Sequence, residues 1–141
     1  MVEMIAWVVS GILLVVSGLH FYWAFGGKRG NSAVIPTNGS EKLFQPLPIG
    51  TSMVGLLLAL AAWIALEWSS VIKPLLFSDL LLQVGGWVVA AVFIIRGIGD
   101  FKWVGLFKRK KGTVFAKWDS RLYSPLCLLL GISYILIGTM R

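Results

Sequence analysis

IAWVVSGILLVVSGLHFYWAF, residues 5–25, is the stretch on which the fold is decided. It contains no Asp, Glu, Lys or Arg. At about 1.5 Å of rise per residue, roughly 20 such residues match a hydrocarbon core of about 30 Å. The stretch follows Glu3 rather than a positive run, and it closes on His20-Phe21-Tyr22-Trp23 rather than a small-residue cleavage site. It therefore reads as a retained membrane span, from about 4 to 25, and not as a cleaved leader.

The rest of the chain agrees with that solvent. Of 141 residues, 57% are apolar and only 13% are charged, with a mean hydropathy of +0.84. Soluble domains carry about 25% charged residues, so neither a disordered chain nor an ordinary soluble domain fits. Three more apolar stretches follow, at about 51–72, 80–98 and 123–140. The second is stopped by Lys73-Pro74, and the third is opened by Ser78 or Asp79 as N-cap. The fourth opens on Ser124-Pro125. It is short for a span, so its helix is expected to start nearer Asp119, with Pro125 kinking it. The expected fold is all-α, a single membrane domain of four transmembrane helices with two long loops, 26–50 and 99–122.

All but two of the 13 lysines and arginines lie in or beside those loops, Lys73 and Arg141 being the exceptions. By the positive-inside rule both loops are cytoplasmic and both termini outside. The net charge of +7 then needs no nucleic acid as partner. Basic residues interleaved with Phe101, Trp103, Phe107, Phe115 and Trp118 beside a span suit anionic lipid head groups. The run Lys108 to Lys111 reads as solvated or lipid-facing. One cysteine, Cys127, and one histidine, His20, exclude an intrachain disulfide, a His/Cys zinc site and bis-histidine haem ligation, so no metal and no cofactor are expected.

Small residues suggest how the helices pack. Gly11 and Gly18 in the first span and Gly131 and Gly138 in the fourth are each seven apart, which puts each pair on one helix face. The first and fourth helices are therefore expected to pack on each other. The polar groups suggest a site. His20, Arg96, Asp100, Asp119, Arg121 and Tyr123 all fall near the ends of spans that meet the cytoplasmic boundary, and Arg96 and Asp100 are four apart, close enough to pair on one face. The outer half has little besides Glu67, which reads as interfacial because it sits near a helix end. A polar pocket opening inward is the expectation. Gly97-x-Gly99 and Gly26-Gly27-Lys28-Arg29-Gly30 lack the spacing of dinucleotide and P-loop motifs.

The strings HFYWAFGG (His20 to Gly27), IPT-x-G (Ile35 to Gly39), FQPLP-x-x-T (Phe44 to Thr51), RGIGDFKWVGLFKR (Arg96 to Arg109) and FAKWDSRLYSPLC (Phe115 to Cys127) together resemble a family of small, four-span bacterial membrane proteins of unknown function. The resemblance covers nearly the whole chain and implies that architecture and a bacterial cytoplasmic membrane. It brings no catalytic roles. Three functions stay open from the residues. One is a membrane-embedded binding or accessory protein in which Arg96 holds the anionic head of an amphiphile, or the pocket receives a partner's segment. A second is a lipid- or quinone-modifying enzyme with His20 as acid/base, oriented by Asp100 or Asp119. The third is a small exporter or a self-protection protein against membrane-active compounds, for which Glu67 lies too near a helix end.

Overall fold

The computed structural model describes residues 1–38, 41–42, 47–99 and 104–141. The helices are α1 (Val2–Ala24), the short α2 (Asn31–Val34) in the first loop, α3 (Pro48–Trp68), α4 (Asp79–Ile98), and a final stretch made of α5 (Val114–Trp118), a π-helical turn (Asp119–Tyr123) and α6 (Ser124–Met140); α1, α3, α4 and the final stretch are long and apolar and dominate the structure. The first loop also holds a two-residue antiparallel ladder, Thr37–Asn38 with Glu41–Lys42. In the most apolar windows of the first three long helices 28% of residues are buried within the chain, and 33% in the fourth. Most of their apolar surface thus faces outward. That is stable only in a non-aqueous solvent, and the four are long and apolar enough to cross a membrane. The protein is an all-helical four-span membrane bundle.

Sequence sets the helix ends. Pro48 occupies the first turn of α3, where a missing N–H costs nothing, so this helix starts earlier than the apolar run at Thr51 suggested. It also stops sooner, at Trp68, because Ser70 takes a left-handed conformation (φ 63°) ahead of Lys73-Pro74. Ser78 caps α4 by accepting from the Leu81 amide. The end of α1 turns through Gly26 (φ 97°), with the Gly27 amide reaching back to Tyr22 O at 2.9 Å, the bonding of a Schellman motif.

The bundle is built from two tight pairs, α1 with α3 and α4 with α6. This corrects the expectation that the glycine faces of the first and fourth helices pack together. Gly11 and Gly18 have open space where a side chain would stand. Their neighbours make the contact instead: Ser10 Oγ donates to Ala62 O at 2.9 Å and Ser17 Oγ to Gly55 O at 2.6 Å, while the Phe21 ring fills the space over Gly55. In lipid, hydrophobic burial gives helices little reason to associate, so these hydroxyl bonds and close ring contacts decide the pairing. Gly131 does mark a close approach, but to Ala90 and Ile94 of α4. Gly86 and Gly138 lie against the Trp68 ring, which is fully buried and edge-on to Trp87. Tyr134 of α6 donates to Ala61 O and ties the two pairs together.

Glu67 stands one residue before the end of α3, near a helix end as expected, but it is packed within the protein. Its side chain is fully buried, and its carboxylate accepts from Trp63 Nε1 (2.7 Å) and from the amides of Leu75 (2.9 Å), Leu76 (2.9 Å) and Phe77 (3.3 Å). Four N–H donors compensate the buried charge and hold the turn between α3 and α4 against the bundle.

Candidate functional site

At the loop end, the last turn of α4 and the helix that leads into α6 approach closely. Gly97 makes this possible, because a side chain there would overlap Leu128 and press on Ser124 O. Beyond Ile98 the chain folds back on itself. Gly99 and Gly105 both have positive φ (89° and 91°), and a Cβ on either would overlap the backbone of the other limb, so only glycine fits the crossing. The Leu106 amide closes it by donating to Gly97 O at 2.9 Å. This clasp returns residues 105–108 to the helix end.

Asp119 approaches from the other side, in the π-helical turn. The physical cause of that turn is Pro125. It has no N–H to give the carbonyl of Arg121, and its ring crowds that carbonyl, so the chain widens by one residue and the Ser124 amide bonds Asp119 O instead. The expected kink at Pro125 is thus resolved as one wide turn, and the helix runs back to Val114, well before the 123 or 119 read from the sequence.

The Asp119 carboxylate is fully buried and surrounded by donors. Oδ1 accepts from Arg96 Nη2 at 2.9 Å and from Ser124 Oγ at 3.1 Å. Oδ2 accepts from the Gly105 amide at 2.7 Å and lies 3.1 Å from Lys108 Nζ. Lys108 Nζ also donates to Gly105 O at 2.9 Å and to Ser120 Oγ at 2.6 Å. Among the described residues Arg96 Nη1 is buried and has no hydrogen-bond partner, although the side chain as a whole is one-third exposed. Such an orphaned cationic donor in a buried setting is uncommon, because leaving it unpaired costs free energy.

Of the residues singled out from the sequence, the structure brings Arg96 and Asp119 into direct contact. Tyr123 lies on the same turn, its ring 6.1 Å from that of Phe115, and Arg121 is exposed. Asp100 lies outside the described residues. His20 is held by its own helix, with Nδ1 2.8 Å from Val16 O and its ring edge-on to Trp23. No described hydrogen bond or ion pair joins it to the Arg96 and Asp119 group. Lys108 corrects the sequence reading: the first residue of the basic run is buried at the centre of the cluster, whereas Arg109 and Lys111 are exposed. Ser120 and Ser124 were also missed. Their signal was faint, two hydroxyls one and five residues after an acid, the second next to a proline.

At the opposite end, Val2, Glu3, Ser69, Ser70, Met140 and Arg141 line a cleft of about 530 Å³. Arg141 there bonds Asp79 Oδ1 at 2.7 Å and stands 6.0 Å above the Trp68 ring. Among the described residues no group of three or more His, Cys, Asp or Glu side chains is placed to hold a metal ion.

No curated protein and no solved structure matches the chain significantly. Residues 12–134, all but the two ends, match the family described as protein of unknown function DUF3995, and the chain belongs to that family.

Proposed function

We propose that this is a small membrane-embedded binding or accessory protein whose ionic cluster at the loop end receives the anionic part of an amphiphile or of a partner's segment. One observation carries the reading: among the described residues, Arg96 offers an unpartnered guanidinium nitrogen in a cluster where two cations face one carboxylate. Asp119 and Lys108 position that nitrogen, and the clasp between Gly99 and Gly105 holds both in place. In this reading the end with the cluster, and the pocket that would open there, face the cytoplasm with both termini outside, which the lysine and arginine distribution supports. The basic segment after the third span lies against anionic lipid in this reading. The family resemblance points to a bacterial plasma membrane.

The two other readings have less behind them. Acid/base chemistry at His20 asks for a carboxylate or substrate within reach, and no described hydrogen bond or ion pair joins its ring to an acid. Export asks for a carboxylate that can pick up and release a cation, and Glu67 is fixed by four N–H donors. The test is extraction of the protein in mild detergent and identification of what copurifies. A bound amphiphile that is lost in Arg96→Ala and kept in His20→Ala is the expected result. Loss in His20→Ala with retention in Arg96→Ala would reverse the assignment.

A further inference from the structure

The turn between α3 and α4 is not built like a connection that lies in water. Its residues 71–77 read Val-Ile-Lys-Pro-Leu-Leu-Phe, with Lys73 the one charged side chain and none of the glycine, asparagine, aspartate or serine that aqueous turns favour. Leu75 and Leu76 are 77% and 63% exposed, while the amides that carry them point inward. These leucines belong to no helix, so they are not part of the apolar surface that any spanning helix must show.

The backbone donors of the turn are met from inside the chain. The Ile72 amide reaches Leu66 O at 3.3 Å, Pro74 has no N–H to give, and the amides of Leu75, Leu76 and Phe77 converge on the Glu67 carboxylate. Water would satisfy those amides by itself, and withdrawing a carboxylate from water to do it is costly. Lipid supplies no acceptor at depth, so non-helical backbone there must find its partners in the protein. A partner protein could bring acceptors of its own; the acyl region brings none, and internal satisfaction is what it demands.

Depth agrees with this. Side chains on a helix lean toward its start, so the carboxylate of Glu67, one residue before the end of α3, lies at the level of that helix's last turn. The amides that bond it fold back to the same level and do not arch beyond the bundle. Phe77 then packs against the buried core before Ser78 opens α4.

We propose that residues 71–77 are seated in the lipid leaflet at the end of the bundle opposite the two long loops. Leu75 and Leu76 stand among the acyl chains, and the exposed Lys73 reaches out to the phosphates. Glu67 is the positioning residue that lets a non-helical segment lie there. The inference goes beyond the binding reading above and does not depend on it.

Nitroxide labels placed singly at Leu75→Cys, Leu76→Cys, Val88→Cys and Lys111→Cys, in the full chain carrying Cys127→Ala and reconstituted in phosphatidylcholine vesicles, test it. Their collisions are measured with oxygen, which concentrates in lipid, and with a water-soluble nickel chelate. All four labelled side chains are exposed, so the labels leave the packing intact. At positions 75 and 76 oxygen should dominate, as at the mid-span position 88 and opposite to position 111. Dominance of the chelate at 75 and 76 would put the turn in water and overturn the proposal. Protection from both reagents would place a protein, a second copy included, over the leucines and would overturn it too. Glu67→Gln added to the Leu76→Cys chain should shift the balance toward the chelate. An unchanged balance would overturn the role given to Glu67.

Discussion

Lys108 and Asp119 lie 3.1 Å apart, and neither side chain is exposed. The pair fastens the loop after α4 to the turn before α6, and it determines what single changes in the basic run should do. Lys108→Met removes one partner of a buried charge while Arg96 continues to pair with the other. Breaking such pairs costs about 3–5 kcal/mol, and the lower end applies here because Asp119 keeps its remaining donors. Lys111→Met, three positions along and exposed, should stay within about 0.5 kcal/mol. Thermal unfolding in detergent separates the two, and equal midpoints would contradict the buried placement of Lys108.

A second prediction concerns the other buried acid. Glu67→Gln keeps the shape but removes the charge that attracts four N–H donors, and its amide NH2 must face one of them. Charge-assisted bonds of this kind are worth about 1.5–3 kcal/mol each when fully made. The turn should loosen locally, so amide hydrogen exchange at Leu75, Leu76 and Phe77 should accelerate by about tenfold or more while the middle of α3 is unchanged. Unaltered exchange at those three amides would show that the carboxylate does not hold the turn.

The two acids show how far the sequence could be read. The spans follow from where the long apolar runs sit, because lipid enforces a helix wherever the backbone crosses it. Arg96 and Asp119 were picked out because ionisable groups near a span end have few places to go. Lys108 was not, because a run of four cations looks solvated unless the chain reverses immediately before it. That reversal depends on Gly99 and Gly105 meeting across six residues, a tertiary contact without periodicity. His20 poses a related problem: depth can be read from sequence, but the direction of a side chain around the helix cannot. Helix pairing failed similarly, since Ser10 and Gly11 are adjacent and only tertiary contacts decide which of their faces meets a neighbour.

That failure gives a third prediction. Gly86→Ala places a methyl where the Trp68 ring stands, and Trp68 is wedged between Gly86 and Gly138, so neither side can yield. Overpacking of this kind costs about 1–3 kcal/mol. Gly11→Ala and Gly18→Ala meet nothing and gain helix propensity worth up to about 1 kcal/mol each. Melting curves should therefore move in opposite directions for glycines that look equivalent in sequence. A loss of stability in Gly11→Ala would restore the packing of α1 through its glycine face.

The π-helical turn supplies the last prediction. Pro125→Ala restores an N–H opposite the Arg121 carbonyl, so the stretch from Val114 to Met140 can become a regular α-helix. Removing the extra residue of the wide turn rotates everything before it by about 100° around the helix axis, the angle of one residue. Asp119 then leaves Arg96, and Lys108 loses its counter-charge. The backbone gains a hydrogen bond while the ionic cluster is lost, and because each buried charge left alone costs several kcal/mol the net change should be destabilising. Solid-state NMR of the reconstituted variant measures the decisive quantity, the separation of the Asp119 carboxyl carbon from the Arg96 guanidinium carbon. It should lengthen in Pro125→Ala. If the separation stays as it is, tertiary packing of Asp119 rather than the proline imposes the wide turn.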